Sequence, residues 1–170
     1  MKLCKSYRST FEITDFSQRI QTNHELEPII RHGEPPAILR FEDVKQEILG
    51  IFSIISSFKK SGYTSLGIVC KTETQARELS ESLWAHTGDI HFLSNQSSAF
   101  MKGIIVTSSH MAKGLEFDEV IVPYVNAKNY NSAIDKSMLY VAVTRAMHRL
   151  TLTYNGRPSE FIPVSSDQNF

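Results

Sequence analysis

Three features of this sequence predict an α/β domain with a mostly parallel sheet and helices on both of its faces. Short apolar runs suited to strands alternate with stretches of helical period, which argues for βα units and parallel pairing. The length of 170 residues and the hydrophobic fraction of 41% fit one domain with a sizeable core. Glycine, proline and capping residues fall between the runs, where turns and helix ends need them.

In chain order, Met1 to Lys5 reads as a short strand leading into Tyr7 and Arg8, and Thr14 as the cap of a helix running to about Asn23. Pro28, Gly33 and the Pro35-Pro36 pair make His24 to Pro36 an irregular connection. Ala37 to Phe41 is a strand. Glu42 to Lys60 places Val44, Ile48, Ile51, Ile55 and Phe58 on one helical stripe, stopped at Gly62. Ser65 to Cys70 is a buried strand. Thr72 with Gln75 three residues later suggests a capping box for a helix carrying Ala76, Leu79 and Leu83, with Trp84 partly buried and Gly88 at its end. Ile90 to Leu93 is a further short strand and Ser94 to Met101 a serine-rich loop.

Gly103 to Thr107 is then a strand, followed by a polar turn carrying His110, Lys113, Gly114 and Glu116, and by a second apolar strand from Val120 to Tyr124. These polar groups read as loop residues beside strand ends, where open α/β sheets hold ligands. Asp135 reads as the cap of a helix whose apolar residues Met138, Leu139, Ala142, Val143 and Ala146 recur at three- and four-residue spacing, leaving Arg145 on its flank. Leu150 to Tyr154 is the last strand. The domain is placed at residues 1–156, with 157–170 as a poorly packed tail.

Charge narrows the function less than pattern does. Lysine plus arginine equals aspartate plus glutamate at 18 each, so nucleic-acid binding would have to come from local clustering. Cys4 and Cys70 lie in apolar stretches without CxxC or Cys/His metal spacing, and read as reduced core thiols of a cytoplasmic protein. No apolar run approaches the roughly 18 residues of a membrane span, and the N-terminus lacks the apolar region of a signal peptide.

Three ordered segments carry the strongest signal: LCKSYRST from Leu3, AKGLEFDEVIV from Ala112 and LYVAVTRA from Leu139. They resemble motifs IV, V and VI of UvrD/Rep/PcrA-type superfamily 1 DNA helicases, with Ser6 where that family carries Asn. The resemblance implies a RecA-like domain, the second (2A-type) of the two such domains in those motors. It also implies roles. Arg8 and Arg145 match the arginines that reach the γ-phosphate of ATP. Tyr7 would stack on adenine, Glu116 would bond the ribose, and Gly114 would let backbone approach the nucleotide. On the nucleic-acid side, His110 matches the motif V histidine, Thr107, Ser108 and Ser109 offer hydroxyls to phosphates, and Lys71 sits where relatives carry a basic residue. Such contacts position a strand without reading its sequence. Lys113 reads as structural or solvated.

A nucleotide-hydrolysing motor also needs a glycine-rich phosphate loop ending in Gly-Lys-Ser/Thr and an acidic pair after an apolar strand to hold magnesium. Gly62 to Gly67 has the glycine spacing but continues into Ile68-Val69, no Gly-Lys dipeptide occurs, and Asp118-Glu119 precedes its apolar run. The expectation is therefore a half-site: ATP with Mg2+ as cofactor, the metal ligands and phosphate loop on an N-terminal RecA-like domain of the same parent chain, and single-stranded or partly duplex DNA as partner. The helical subdomain that UvrD and Rep insert before motif V is absent between Leu83 and Gly103. That compact layout resembles the helicase IV and HelD branch, in which HelD-type proteins bind bacterial RNA polymerase. The alternative expectation is a non-catalytic docking module for RNA polymerase or another protein.

Overall fold

The computed structural model describes residues 9–22, 31–95 and 102–163. Among the described residues lie four helices, α1 (Phe11–Ile20), α2 (Val44–Lys59), α3 (Glu73–Thr87) and α4 (Ala133–Val143), and six strands, β1 (Ala37–Phe41), β2 (Ser65–Cys70), β3 (Ile90–Phe92), β4 (Gly103–Ser108), β5 (Phe117–Val122) and β6 (Ala146–Asn155). The strands form one sheet in the order β1-β6-β5-β2-β4-β3, and every ladder in it is parallel. Parallel pairing requires crossover connections, and the helices supply them on both faces. One core packs Ile13, Phe16, Leu139 and Val143 of α1 and α4 on Val120 and Leu152. The other packs Ile51, Ile55, Leu79 and Leu83 of α2 and α3 on Ile68 and Val106.

Local chemistry accounts for most element ends. The Asp43 and Thr72 side chains accept the Gln46 and Gln75 amides at the starts of α2 and α3, and Gly88 closes α3 in a left-handed conformation. Gly67 sits at the centre of β2 for a packing reason: a Cβ there would lie 2.5 Å from the buried ring of Phe117, which opens β5. Cys70 is buried and free, and burial pushes its thiol well above the ordinary range.

Several expectations are corrected. Thr10, not Thr14, caps α1: its backbone is extended and its side chain accepts the Ile13 amide, whereas Thr14 already lies inside the helix, its amide donating to Thr10 O at 3.0 Å. Ser132, not Asp135, caps α4; Asp135 stands three residues on and completes a reciprocal capping box. Thr72 receives the Gln75 amide, but the Gln75 side-chain amide donates to Asn129 Oδ1 at 2.8 Å, linking α3 to the loop after β5. β5 begins at Phe117 and β6 at Ala146, earlier than apolar content suggested, since Phe117 pairs with Ala146 and, past a register shift, the polar Glu119 pairs with Arg149. Trp84 is 55% exposed. Residues 157–163 fold back, with Asn126 bridging Pro158, the Ser159 hydroxyl donating to Tyr130 O at 2.8 Å, and Ile162 buried. The strand expected at Met1 to Lys5 lies outside the described residues.

Candidate functional site

In an all-parallel sheet every strand starts on one edge and ends on the other, so the polar groups of a single turn can be carried to opposite sides of the molecule. The connection from β4 to β5 does this. His110 follows the end of β4, whereas Glu116 and Arg145 immediately precede the starts of β5 and β6. The grouping of all these residues beside strand ends is therefore corrected to two edges.

On the start edge, residues distant in sequence converge. The Ser9 hydroxyl donates to Ala146 O at 2.7 Å, the Thr10 amide to Met147 O at 3.2 Å, and the Arg31 guanidinium to the same carbonyl at 3.0 Å. The end of the first motif is thus docked beside Arg145. Arg145 itself follows α4 and its cap Thr144, and is held by three contacts. Its Nε donates to Val141 O at 3.1 Å, one terminal nitrogen to Leu115 O at 3.3 Å, and the other to Thr144 Oγ1 at 3.2 Å. Burial lowers the guanidinium from its ordinary value while the neighbouring Glu116 carboxylate works against that shift, and an arginine stays charged at neutral pH regardless. Gly114, at φ 80 with open space around its Cα, takes a conformation that a side chain would strain. Tyr7 and Arg8 lie outside the described residues.

On the end edge the hydroxyls turn inward. Thr107 is fully buried and donates to Leu93 O at 2.9 Å, because its place in β4 points it into the sheet. Ser108 accepts the Met111 amide at 3.4 Å, and Ser109 donates to Cys70 O at 3.3 Å. His110 is exposed. Lys71 is committed internally: its ammonium pairs with Asp135 at 2.8 Å and donates to Asn129 O. Thr107 and Lys71, expected at phosphates, thus hold the loops that present their neighbours. The acidic pair is corrected too. Asp118 and Glu119 lie within β5, where Asp118 accepts the amides of Thr64 at 2.9 Å and Ser65 at 3.2 Å and so pins the start of β2. Among the described residues no cluster of three His, Cys, Asp or Glu side chains is placed to hold a metal, and no helix is long and apolar enough to cross a membrane.

The Lys71 partner yields a pH prediction. Burial raises the Asp135 carboxyl, but the Asn131 amide, the Lys71 ammonium and the Ser132 amide more than offset this and leave it at about 2, against 3.8 for an unperturbed aspartate. A depressed carboxyl stabilises the fold above its unfolded value, and that contribution is lost as pH falls through the folded one. Urea midpoints of the wild type should therefore fall between about pH 4 and pH 2 more steeply than those of Asp135→Asn. Parallel profiles would remove the assignment.

Sequence reasoning missed Glu47, which is fully buried on α2. It accepts the Tyr124 amide at 2.9 Å, the Thr153 hydroxyl at 2.7 Å and the Asn155 side-chain amide at 2.6 Å. Its polarity at a position flanking the apolar stripe of α2 was the available signal.

Comparisons with known proteins agree with this architecture. Residues 103–153 match the family model described as UvrD-like helicase C-terminal domain. A search of curated proteins returns no match. Among solved structures, the C-terminal domain of a possible DNA helicase from Lactobacillus plantarum WCFS1 is similar at 29% identity and TM-score 0.79, over 92% of this chain and 92% of that one. An arterivirus nonstructural protein 10 helicase, solved with DNA, is similar at 14% identity and TM-score 0.49 over 71% of this chain and 28% of that one. The six-stranded parallel α/β fold is thus that of a helicase C-terminal domain, and its β4 to β6 segment carries the sequence pattern of the UvrD-like family.

Proposed function

We propose that this chain is the second RecA-like half of an ATP-driven motor on single-stranded or partly duplex DNA. It supplies Arg145, together with Arg8, across an interface to a nucleotide whose phosphate loop and Mg2+ ligands belong to a first RecA-like half of the same parent. The observation that carries this reading is the junction on the start edge. Ser9 and Ala146 meet at 2.7 Å although 137 residues separate them, which brings the motif bearing Arg8 next to Arg145. A guanidinium held at this edge beside the end of the first motif, with a left-handed glycine in the adjoining turn, suits a polyphosphate better than a plain scaffold.

The chemistry that fits is stabilisation of charge on a phosphoryl group in transfer. A planar guanidinium offers paired donors to equatorial oxygens, and one already oriented by the protein costs little reorganisation during reaction. ATP supplies the phosphoryl group and the driving force. In this reading the chain orients and stabilises, with Glu116 bonding the ribose and Tyr7 stacking on adenine. Closure of the two halves on nucleotide and reopening after hydrolysis would then move the end edge, with His110, along the strand. RNA polymerase as partner belongs to the alternative in which the fold only docks.

The purified 170-residue chain is expected to show no ATP turnover above background, whereas the native-length protein turns over ATP faster when single-stranded DNA is added. Robust hydrolysis by the isolated chain would overturn the half-site. A native-length protein with no Gly-Lys-Ser/Thr loop and no ATPase activity would leave docking as the function.

A further inference from the structure

Helix α4 has one apolar stripe more than its packing uses. Leu139, Ala142 and Val143 are buried against the sheet and α1. Ile134, Met138 and Val141, at i, i+4 and i+7, form a second stripe that points away from both cores. Ile134 is 69% exposed, the most exposed large apolar side chain among the described residues. This stripe forms one wall of a groove of about 210 Å³ whose opposite wall is the turn after β4, with His110 and Lys113 on its rim. Both are exposed, and neither makes an ion pair among the described residues.

We propose that this groove is a slot for one unstacked base of a single nucleic-acid strand, with the flanking phosphate on Lys113 and His110. The proposal rests on the nucleic-acid side of the function above and names the part of the strand that is held. A base offers a flat apolar face beside an anionic backbone, and the groove offers an apolar wall beside two unpaired basic side chains. The Met138 thioether can lie on the edge of an aromatic ring, and Ile134 can cover its face. A duplex hides its base faces in the stack, so the slot selects single strands. An apolar side chain from another protein domain would fill the wall but leave Lys113 and His110 without a counter-charge.

The test is fluorescence anisotropy of the 170-residue chain with labelled oligothymidylate and with an abasic strand of equal length. The abasic strand should bind about tenfold more weakly. Ile134→Ala and Met138→Ala should weaken oligothymidylate binding by several-fold up to about tenfold and leave abasic binding unchanged. Lys113→Ala should weaken both strands by a similar factor and lower the salt slope by about one. Circular dichroism checks that the variants fold, which the exposure of Ile134 and Lys113 favours. If Ile134→Ala and Met138→Ala bind oligothymidylate as wild type does, the slot is overturned, a protein contact becomes the better use of the stripe, and the motor reading stands. If no strand binds at low salt, both the slot and the nucleic-acid side of that reading fail.

Discussion

Arg145→Ala in the native-length protein is expected to lower ATP turnover by about 10³- to 10⁵-fold while the domain remains folded. The size of the effect follows from where the guanidinium is held. A guanidinium has five N–H donors, and three of those on Arg145 meet the carbonyls of Val141 and Leu115 and the Thr144 hydroxyl. Those bonds leave two N–H groups without a hydrogen-bond acceptor among the described residues and fix the plane of the fork through α4 and the turn that leads into β5. Charge supplied in this way matters most when it develops on the transferring group, so kcat should fall with little change in KM. Arg145→Lys should recover little, because an ammonium keeps the charge but loses the planar fork and its three anchors. Stability should drop by only about 1 kcal/mol, since these are bonds of a half-buried side chain to groups that water can also reach. Steady-state ATPase assays with single-stranded DNA, beside urea titrations, separate the two effects. Unchanged turnover would end the assignment of Arg145.

Glu47→Ala is expected to be the most destabilising of these changes, by about 2–4 kcal/mol in a urea titration. The carboxyl group lies inside the molecule and receives the Tyr124 amide, the Thr153 hydroxyl and the Asn155 amide, so one side chain of α2 ties down the ends of β5 and β6. Its removal strands three donors, the Tyr124 amide, the Thr153 hydroxyl and the Asn155 side-chain amide. The Tyr124 amide is the critical one. Tyr124 has φ 59, a left-handed conformation that costs a non-glycine residue about 1–2 kcal/mol and persists only when its surroundings enforce it. Glu47→Gln should fall between, because the amide oxygen still accepts two donors while its NH₂ meets the NH₂ of Asn155. A loss below about 1 kcal/mol in Glu47→Ala would show that water replaces the carboxyl group.

The strands β1 and β2 and the core stripes of α2 and α3 were legible from the sequence because they depend on local periodicity and on apolar content, except at Val44, which was expected on the α2 stripe but stands 50% exposed at the first turn. Ala37 to Phe41 and Ser65 to Cys70 appear with the expected limits. Thr72 and Gly88 act as the expected ends of α3, because a cap needs only backbone groups within a few residues. Thr10 and Ser132 were harder to identify. Each competes with a nearby residue of similar chemistry, Thr14 or Asp135, and the choice depends on which of the two keeps an extended backbone and which is already within the helix. The starts of β5 and β6 were misjudged because Glu119 and Arg149 are polar and look like loop residues until the neighbouring strand pairs them.

By itself, then, the sequence determined the α/β class, most of the strands and helices, and the motifs with their candidate residues, since these follow from side-chain type and from spacing within a few turns of chain. Only the tertiary structure decided that Glu116 and Arg145 stand on one edge of the sheet and His110 on the other. It also decided that Lys71 and Thr107 are consumed by Asp135 and Leu93, that Ser9 meets Ala146, and that α4 keeps an apolar stripe uncovered. The order of parallel strands, their register and their crossover connections place those residues, and such long-range pairing leaves no trace in local propensity.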